Sequence, residues 1–168
     1  MTNSADNPRK PFRVLFVCLG NICRSPAAEG IFRRIARERG LIVDVDSAGT
    51  SGWHEGEPAD SRMRRAARHR GYDLTSISRP VRRSDFDRFD MLVAMDDSNY
   101  DNLREMAMTK EEEDKIVRMA DFLDRKDYDH IPDPYYGGAD GFDLVIDLLE
   151  EASENLADEI QNVLLPGR

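Results

Sequence analysis

The run Arg13 to Val17 (RVLFV) is followed, after only seven residues, by Ser25-Pro26. The first stretch is β-branched and aromatic, as a buried strand requires, and the second pairs a helix-capping serine with a proline suited to the first helical turn. Ala28, Ile31, Phe32 and Ile35 then recur at helical spacing, Gly40 offers a stop, and Leu41 to Val45 supplies a second strand. A strand entering a helix through so short a loop, with a further strand behind it, is a βαβ unit. Its strands run parallel, which commits the chain to a sheet covered by helices.

The rest of the chain continues the pattern. A loop from Ala48 to Pro58 carries Gly49, Gly52 and Gly56 and precedes an Arg-rich helix over about Asp60 to Arg70, whose basic run reads as a solvated face. Met91 to Met95 (MLVAM) predicts a third buried strand, followed by a helix near Asn99 to Met106, a solvated charged segment from Thr109 to Lys115, and a fourth strand around Ile116 to Met119. After a loop at Ile131 to Gly138, a long helix over about Phe142 to Leu164 places Val145, Ile146, Leu149, Ala152, Leu156, Ile160 and Val163 on one stripe. Residues 1–11 show no apolar period and read as a flexible N-terminal arm, leaving 12–168 as a single domain. The expectation is an α/β fold, a doubly wound four-stranded parallel sheet with helices on both faces, which binds ligands at the carboxyl ends of its strands.

Charge narrows the function. Lys+Arg number 24 against 33 Asp+Glu, for a formal net charge of -9, so the chain as a whole repels nucleic acid and anionic membranes. An anionic ligand must therefore be captured by a local device. No apolar signal region or membrane-length run is visible, so no membrane insertion is expected. The two cysteines, Cys18 and Cys23, fit a reducing cytoplasmic setting in which both thiols stay free. Two cysteines are too few for a four-cysteine zinc site, and His54, His69 and His130 lack ligand spacing, so no metal is expected and the histidines read as solvated.

The local device is the segment Cys18-Leu19-Gly20-Asn21-Ile22-Cys23-Arg24-Ser25. Backbone N–H groups at a helix start converge on an anion, so the amides from Leu19 to Cys23 can cradle a phosphate. Gly20 permits tight curvature and Asn21 tolerates positive φ. A cysteine in this field should be an ionised nucleophile at neutral pH. Arg24 can grip two phosphate oxygens through its planar fork. Ser25 can donate its hydroxyl to the thiolate, or simply cap the helix. A buried structural thiol is the plain alternative for Cys18; strand, glycine, Arg-Ser-Pro and helix together favour the chemical reading. Cys18 and Cys23 lie five positions apart across the curved loop, so Cys23 is either a resolving cysteine for an oxidised Cys18 or a small buried apolar residue.

CLGNICRSP resembles the phosphate loop of the low-molecular-weight protein tyrosine phosphatases. SAGTSGWHEG at Ser47 to Gly56, DMLVAMDDSN at Asp90 to Asn99 and DPYYGG at Asp133 to Gly138 resemble further segments of that family, in order. The resemblance implies hydrolysis of phosphotyrosine and aryl phosphates through a phosphocysteine on Cys18, with Arg24 binding phosphate and no cofactor. Asp133 would be the acid that protonates the leaving tyrosinate and then the base that activates water; an ordinary turn Asp before proline is the alternative. Tyr135 and Tyr136 would wall the pocket and can themselves be phosphorylated. Trp53 would contact the substrate ring, with core packing as its alternative. Ser47 matches the serine that bonds the loop asparagine, here Asn21. The chain departs from the pattern at Ser76, where members often carry a histidine, so that histidine's bond to Glu29 is not expected. Partners would be phosphotyrosine proteins and, upstream, a tyrosine kinase.

Four rival readings compete. Arsenate reductases need further downstream cysteines, and none follows Cys23. Protein arginine phosphatases resemble a loop with threonine where this chain has Ile22, and carry a different residue at the position of Tyr135. A phosphocarrier or an idle phosphotyrosine-binding module would have no use for Asp133.

Overall fold

The computed structural model describes residues 10–165. Most of the N-terminal arm expected over 1–11 therefore lies outside the described residues. Four strands, β1 (Phe12–Cys18), β2 (Val43–Gly49), β3 (Met91–Ala94) and β4 (Ile116–Arg118), form one all-parallel sheet in the order β2-β1-β3-β4. The helices are α1 (Arg24–Glu38), α2 (Ser61–His69), the single turn α3 (Asp85–Arg88), α4 (Asp97–Met106), α5 (Lys110–Asp114) and α6 (Ala139–Glu159).

Strand β1 sits inside the sheet, and its side chains alternate between two apolar layers. Val14 and Phe16 pack with Ile31 and Phe32 of α1 and with Val145, Ile146 and Leu149 of α6. Leu15 and Val17 pack on the other face with Phe86, Leu92 and Leu103, from α3, β3 and α4. Burial on both faces explains why RVLFV reads as a nearly continuous apolar run. The strand order reverses direction between β1 and β3, so the loops leaving their carboxyl ends part and open a crevice. Among the described residues, no helix is long and apolar enough to cross a membrane.

Three expectations shift. The second strand runs over Val43–Gly49 rather than Leu41 to Val45, because the Leu41 amide still closes the end of α1 by donating to the Ala36 carbonyl at 2.9 Å. Pairing along the whole of β1, from Phe12 with Val43 to Cys18 with Gly49, then extends the strand through the weakly β-forming Ser47-Ala48-Gly49. The charged segment forms α5, capped by Thr109, whose hydroxyl accepts from the Glu112 amide at 3.1 Å; none of its residues is buried. In the last helix, Val145, Ile146, Leu149, Ala152, Leu156 and Ile160 are fully buried as the stripe predicts, but Val163 is 58% exposed. Beyond Glu159 the helix opens into a π turn over Ile160–Leu164, which rotates later side chains off the 3.6-residue stripe.

Ile146 and Val163 thus have different fates despite sharing one sequence pattern. In urea denaturation Ile146→Ala should cost about 2–5 kcal/mol of stability, whereas Val163→Ala should stay within about 0.5 kcal/mol.

Candidate active site

Strand β1 ends at Cys18, and α1 begins six residues later at Arg24. Within this loop Asn21 adopts φ 57°, the left-handed turn that an asparagine accepts. The loop's carbonyls are taken from outside: Cys18 O by the Thr50 amide, Leu19 O by the Ser51 amide, Gly20 O by the Ser78 hydroxyl and Ile22 O by the Asp60 amide, all at 2.7–2.9 Å. In a planar trans peptide the N–H points opposite to the C=O. The amides of Leu19, Gly20, Asn21 and Cys23 are therefore turned to the concave side. Gly49 lets β2 come this close, since a Cβ there would stand 2.7 Å from the Leu19 carbonyl oxygen.

The helix start itself is left open. Cys23, not Ser25, is the N-cap of α1, and it makes no side-chain cap bond. Ser25 lies inside the first turn, fully buried, with its Oγ 3.0 Å from Cys18 Sγ. A side chain capping the helix would occupy the amides that the loop presents to a ligand. Of the two roles open to Ser25, the geometry places it at the sulfur.

Asn21 is clamped on both ends of its amide. Its Oδ1 accepts from the Arg79 backbone N–H at 3.0 Å, while Nδ2 donates to Ser25 Oγ at 2.8 Å and to Ser47 Oγ at 3.0 Å. Arg79 is held by Asp46 and by the fully buried Asp85. Ser47 in turn donates to Glu29 at 2.6 Å, a buried carboxylate that also pairs with Arg33 at 2.8 Å.

Arg24 is 2% exposed and its guanidinium is aimed by three groups. Nη1 donates to Asp96 at 2.7 Å and to the Ile131 carbonyl at 2.9 Å, and Nη2 lies 3.7 Å from Asp133 Oδ2. Burial would lower its pKa, but Cys18, Asp96 and Asp133 more than offset this, so it stays charged. Asp96 leaves the end of β3 and caps α4 through the Asn99 amide. Asp133 reaches the cleft from the loop before α6, anchored where the Ile131 amide bonds the Met95 carbonyl at 2.8 Å. Its Oδ1 accepts from the Tyr135 amide at 3.1 Å.

The loop forms the base of an open cleft. Cys18, Gly20, Ile22 and Arg24 form its floor, and Leu19, Trp53, His54, Tyr135 and Tyr136 stand around its mouth. Trp53 is 82% exposed, which removes core packing as its role, and Tyr136 is 94% exposed. The rings of Tyr135 and Tyr136 meet edge to face at 4.9 Å. All the residues proposed from sequence for the cradle, the acid and the walls line this cleft except Asn21, Ser25 and Ser47, which are buried behind the loop.

Two members of the site were not legible. His54 is half-buried beside the cleft rather than solvated, its ring lying against Gly20 and its Nδ1 3.2 Å from Glu57; its place next to Trp53 was the available signal. Asp96, which makes the shortest hydrogen bond to the Arg24 side chain, stands 72 residues away in the chain; its position directly after an apolar strand run was the only hint. His69 and His130 are exposed.

Fold and loop together define an α/β protein with a cysteine set in an amide-lined anion site. The sequence model of the low molecular weight phosphotyrosine protein phosphatase family matches residues 13–164. A low molecular weight protein-tyrosine-phosphatase of Streptomyces coelicolor is 43% identical over 150 residues, 86% of this chain and 91% of that one. Among solved structures, a protein tyrosine phosphatase from Entamoeba histolytica superposes with a TM-score of 0.86 at 48% identity, over 89% of this chain and 97% of that one. A Drosophila arginine phosphatase superposes with a TM-score of 0.84 at 33% identity, over 89% of this chain and 98% of that one. The chain belongs to the low molecular weight phosphotyrosine protein phosphatase family.

Both cysteines are free and buried. Burial, with Asp60, Cys18 and Asp133 nearby, pushes the Cys23 pKa far up, so its thiol stays protonated. Iodoacetamide at pH 7.5 should therefore leave Cys23 unmodified in the folded protein and label it only after unfolding, as read by peptide mass spectrometry.

Proposed function

We propose that this protein-tyrosine phosphatase works through Cys18 as nucleophile, Arg24 as phosphate ligand and Asp133 as general acid and base. The observation that carries the reading is the cradle itself, with inward amides around a cysteine whose sulfur sits 3.0 Å from a serine hydroxyl and beside a buried guanidinium. The thiolate attacks phosphorus, the P–O bond to the tyrosine ring breaks, and Asp133 gives its proton to the departing oxygen. Asp133, now a carboxylate, takes a proton from water; the oxygen attacks phosphorus and the S–P bond breaks, returning the thiolate. Amides and Arg24 face the equatorial oxygens, where charge redistributes during both steps.

The reacting ring has a place to lie. Trp53, Tyr135 and Tyr136 offer flat apolar faces in the lining of the cleft. This supports phosphotyrosine proteins as substrates and a tyrosine kinase as the enzyme that supplies them. Ile22, 7% exposed, presents a hydrocarbon surface to the floor, with no hydroxyl for a guanidinium, and so argues against phosphoarginine. A reducing compartment suits a catalytic thiolate, and two free cysteines accord with it. Should peroxide convert Cys18 to the sulfenic acid, condensation with Cys23 would release water and form a disulfide, a step that the protonated state of the buried Cys23 thiol slows.

Cys18→Ser should abolish turnover while circular dichroism shows the fold intact; substantial residual hydrolysis would remove Cys18 from the role. Asp133→Ala should slow phenyl phosphate hydrolysis by about 10²- to 10⁴-fold, with a smaller loss on p-nitrophenyl phosphate, whose leaving group needs no proton. Equal losses would refute the acid role. Wild type should prefer phosphotyrosine to phosphoarginine in kcat/KM, and Ile22→Thr should narrow the ratio; an unchanged ratio would clear Ile22 as the determinant.

A further inference from the structure

The hydrogens in the chain of contacts behind Cys18 can be assigned one by one. The Arg79 backbone N–H can only donate, so the atom it meets on Asn21 is the carbonyl oxygen. Both hydrogens of Asn21 Nδ2 then point away from Arg79, one to Ser47 Oγ and one to Ser25 Oγ. Each serine oxygen accepts one of them and keeps its own single hydrogen to give elsewhere. Ser47 gives its hydrogen to Glu29 Oε1 at 2.6 Å. Ser25 has Cys18 Sγ at 3.0 Å and the Ala48 carbonyl at 3.5 Å, so its hydrogen goes to the sulfur.

An amide can also stand the other way round, with oxygen and nitrogen exchanged. Oδ1 would then face both serines, each of which could donate to it. In that arrangement Ser25 turns its hydrogen to Asn21 and the sulfur loses its donor. Two groups oppose the flip. The Arg79 N–H would face an NH₂, and Ser47, with its hydrogen held by Glu29, would present a lone pair to the Asn21 oxygen. Glu29 is thus the terminus that decides what Ser47 can offer.

We infer that Glu29 is a positioning residue for Cys18: by accepting the Ser47 hydrogen it holds the Asn21 amide in the one orientation that leaves the Ser25 hydrogen for the sulfur. The inference rests on the reading of Cys18 as the nucleophile. Glu29 is 5% exposed and lies on α1 against Ser47 of β2. The charged groups that face it are Arg33, one turn along α1, and Asp46 on β2, itself paired with Arg79. Burial raises the Glu29 pKa, while the Ser47 hydroxyl and Arg33 act against that rise. Arg33 also donates to the Val45 carbonyl, which ties its guanidinium to the β2 side of Glu29.

The test measures the sulfur directly, by the rate of Cys18 alkylation with iodoacetate at pH 6, beside kcat for p-nitrophenyl phosphate. Glu29→Leu, which removes the acceptor, should slow alkylation about tenfold, and Ser25→Ala should do the same. Because both act on one hydrogen bond, the double variant should be no slower than Ser25→Ala alone. Glu29→Gln keeps an acceptor oxygen and should stay within about twofold of wild type. A folded Glu29→Leu that alkylates at the wild-type rate would overturn the inference, as would losses that multiply in the double variant. If Glu29→Leu does not fold, Ser47→Ala takes its place in the same cycle, and multiplying losses with Ser25→Ala again overturn it. Should Cys18→Ser retain turnover, the nucleophile reading itself falls; should only the relay fail, wild-type labelling at Cys18 still inactivates the enzyme.

Discussion

The peptide planes between Cys18 and Cys23 are turned so that their carbonyls leave the cleft and their N–H groups enter it, and the surrounding structure is arranged to keep them so. Converging N–H dipoles repel one another, and a left-handed Asn21 costs about 1–2 kcal/mol relative to an ordinary backbone. Each carbonyl bonded from outside returns about 0.5–1.5 kcal/mol. The donors come from three separate stretches, at Thr50-Ser51, Asp60 and Ser78, so the cradle is closed by long-range contacts and not by its own sequence. The bare Cα of Gly49 and the ion-paired Arg79, held by Asp46 and Asp85, bring those stretches within reach.

The same cradle resolves the conflict between an acidic chain and an anionic ligand. With a net charge of -9, long-range attraction is unavailable, and even the immediate surroundings of Arg24 hold two carboxylates, Asp96 and Asp133. Asp96 is what allows a guanidinium to sit 2% exposed, since an unpaired buried charge is strongly unfavourable. It holds Nη1 and leaves Nη2 directed to the cleft. Attraction is then short-ranged, from amides and one half of a guanidinium. The site discriminates by shape and donor placement more than by charge.

Much of this was legible from punctuation. A β-branched run, a glycine, Arg-Ser-Pro and a helical period place the loop without any knowledge of the rest, because strand, turn and helix signals are local. What long-range packing decides was not legible. β2 gains Ser47 to Gly49 only because β1 is there to pair with it, and Asp96 meets Arg24 across 72 residues. Ser25 carries every mark of a helix cap, yet the cap is withheld so that the helix start stays open. Val163 continues a pattern in letters that the π turn ends in space. His54 looked like one of three scattered surface histidines, although it follows Trp53 in the loop that folds back over Gly20.

The position of β1 at the middle of the sheet has a bearing on how the protein is made. Cys18 leaves the ribosome ahead of β3, with which Val14 pairs at Met91, and Asp133 comes 115 residues after Cys18. Non-local pairing of this kind is slow to form, and domains fold as units once their contacts are available. Translation at about 5–20 residues per second therefore leaves an interval of several seconds in which the cysteine is an ordinary thiol on an unstructured chain. Reactivity is acquired only once the segments that carry β3 and Asp133 have been synthesised.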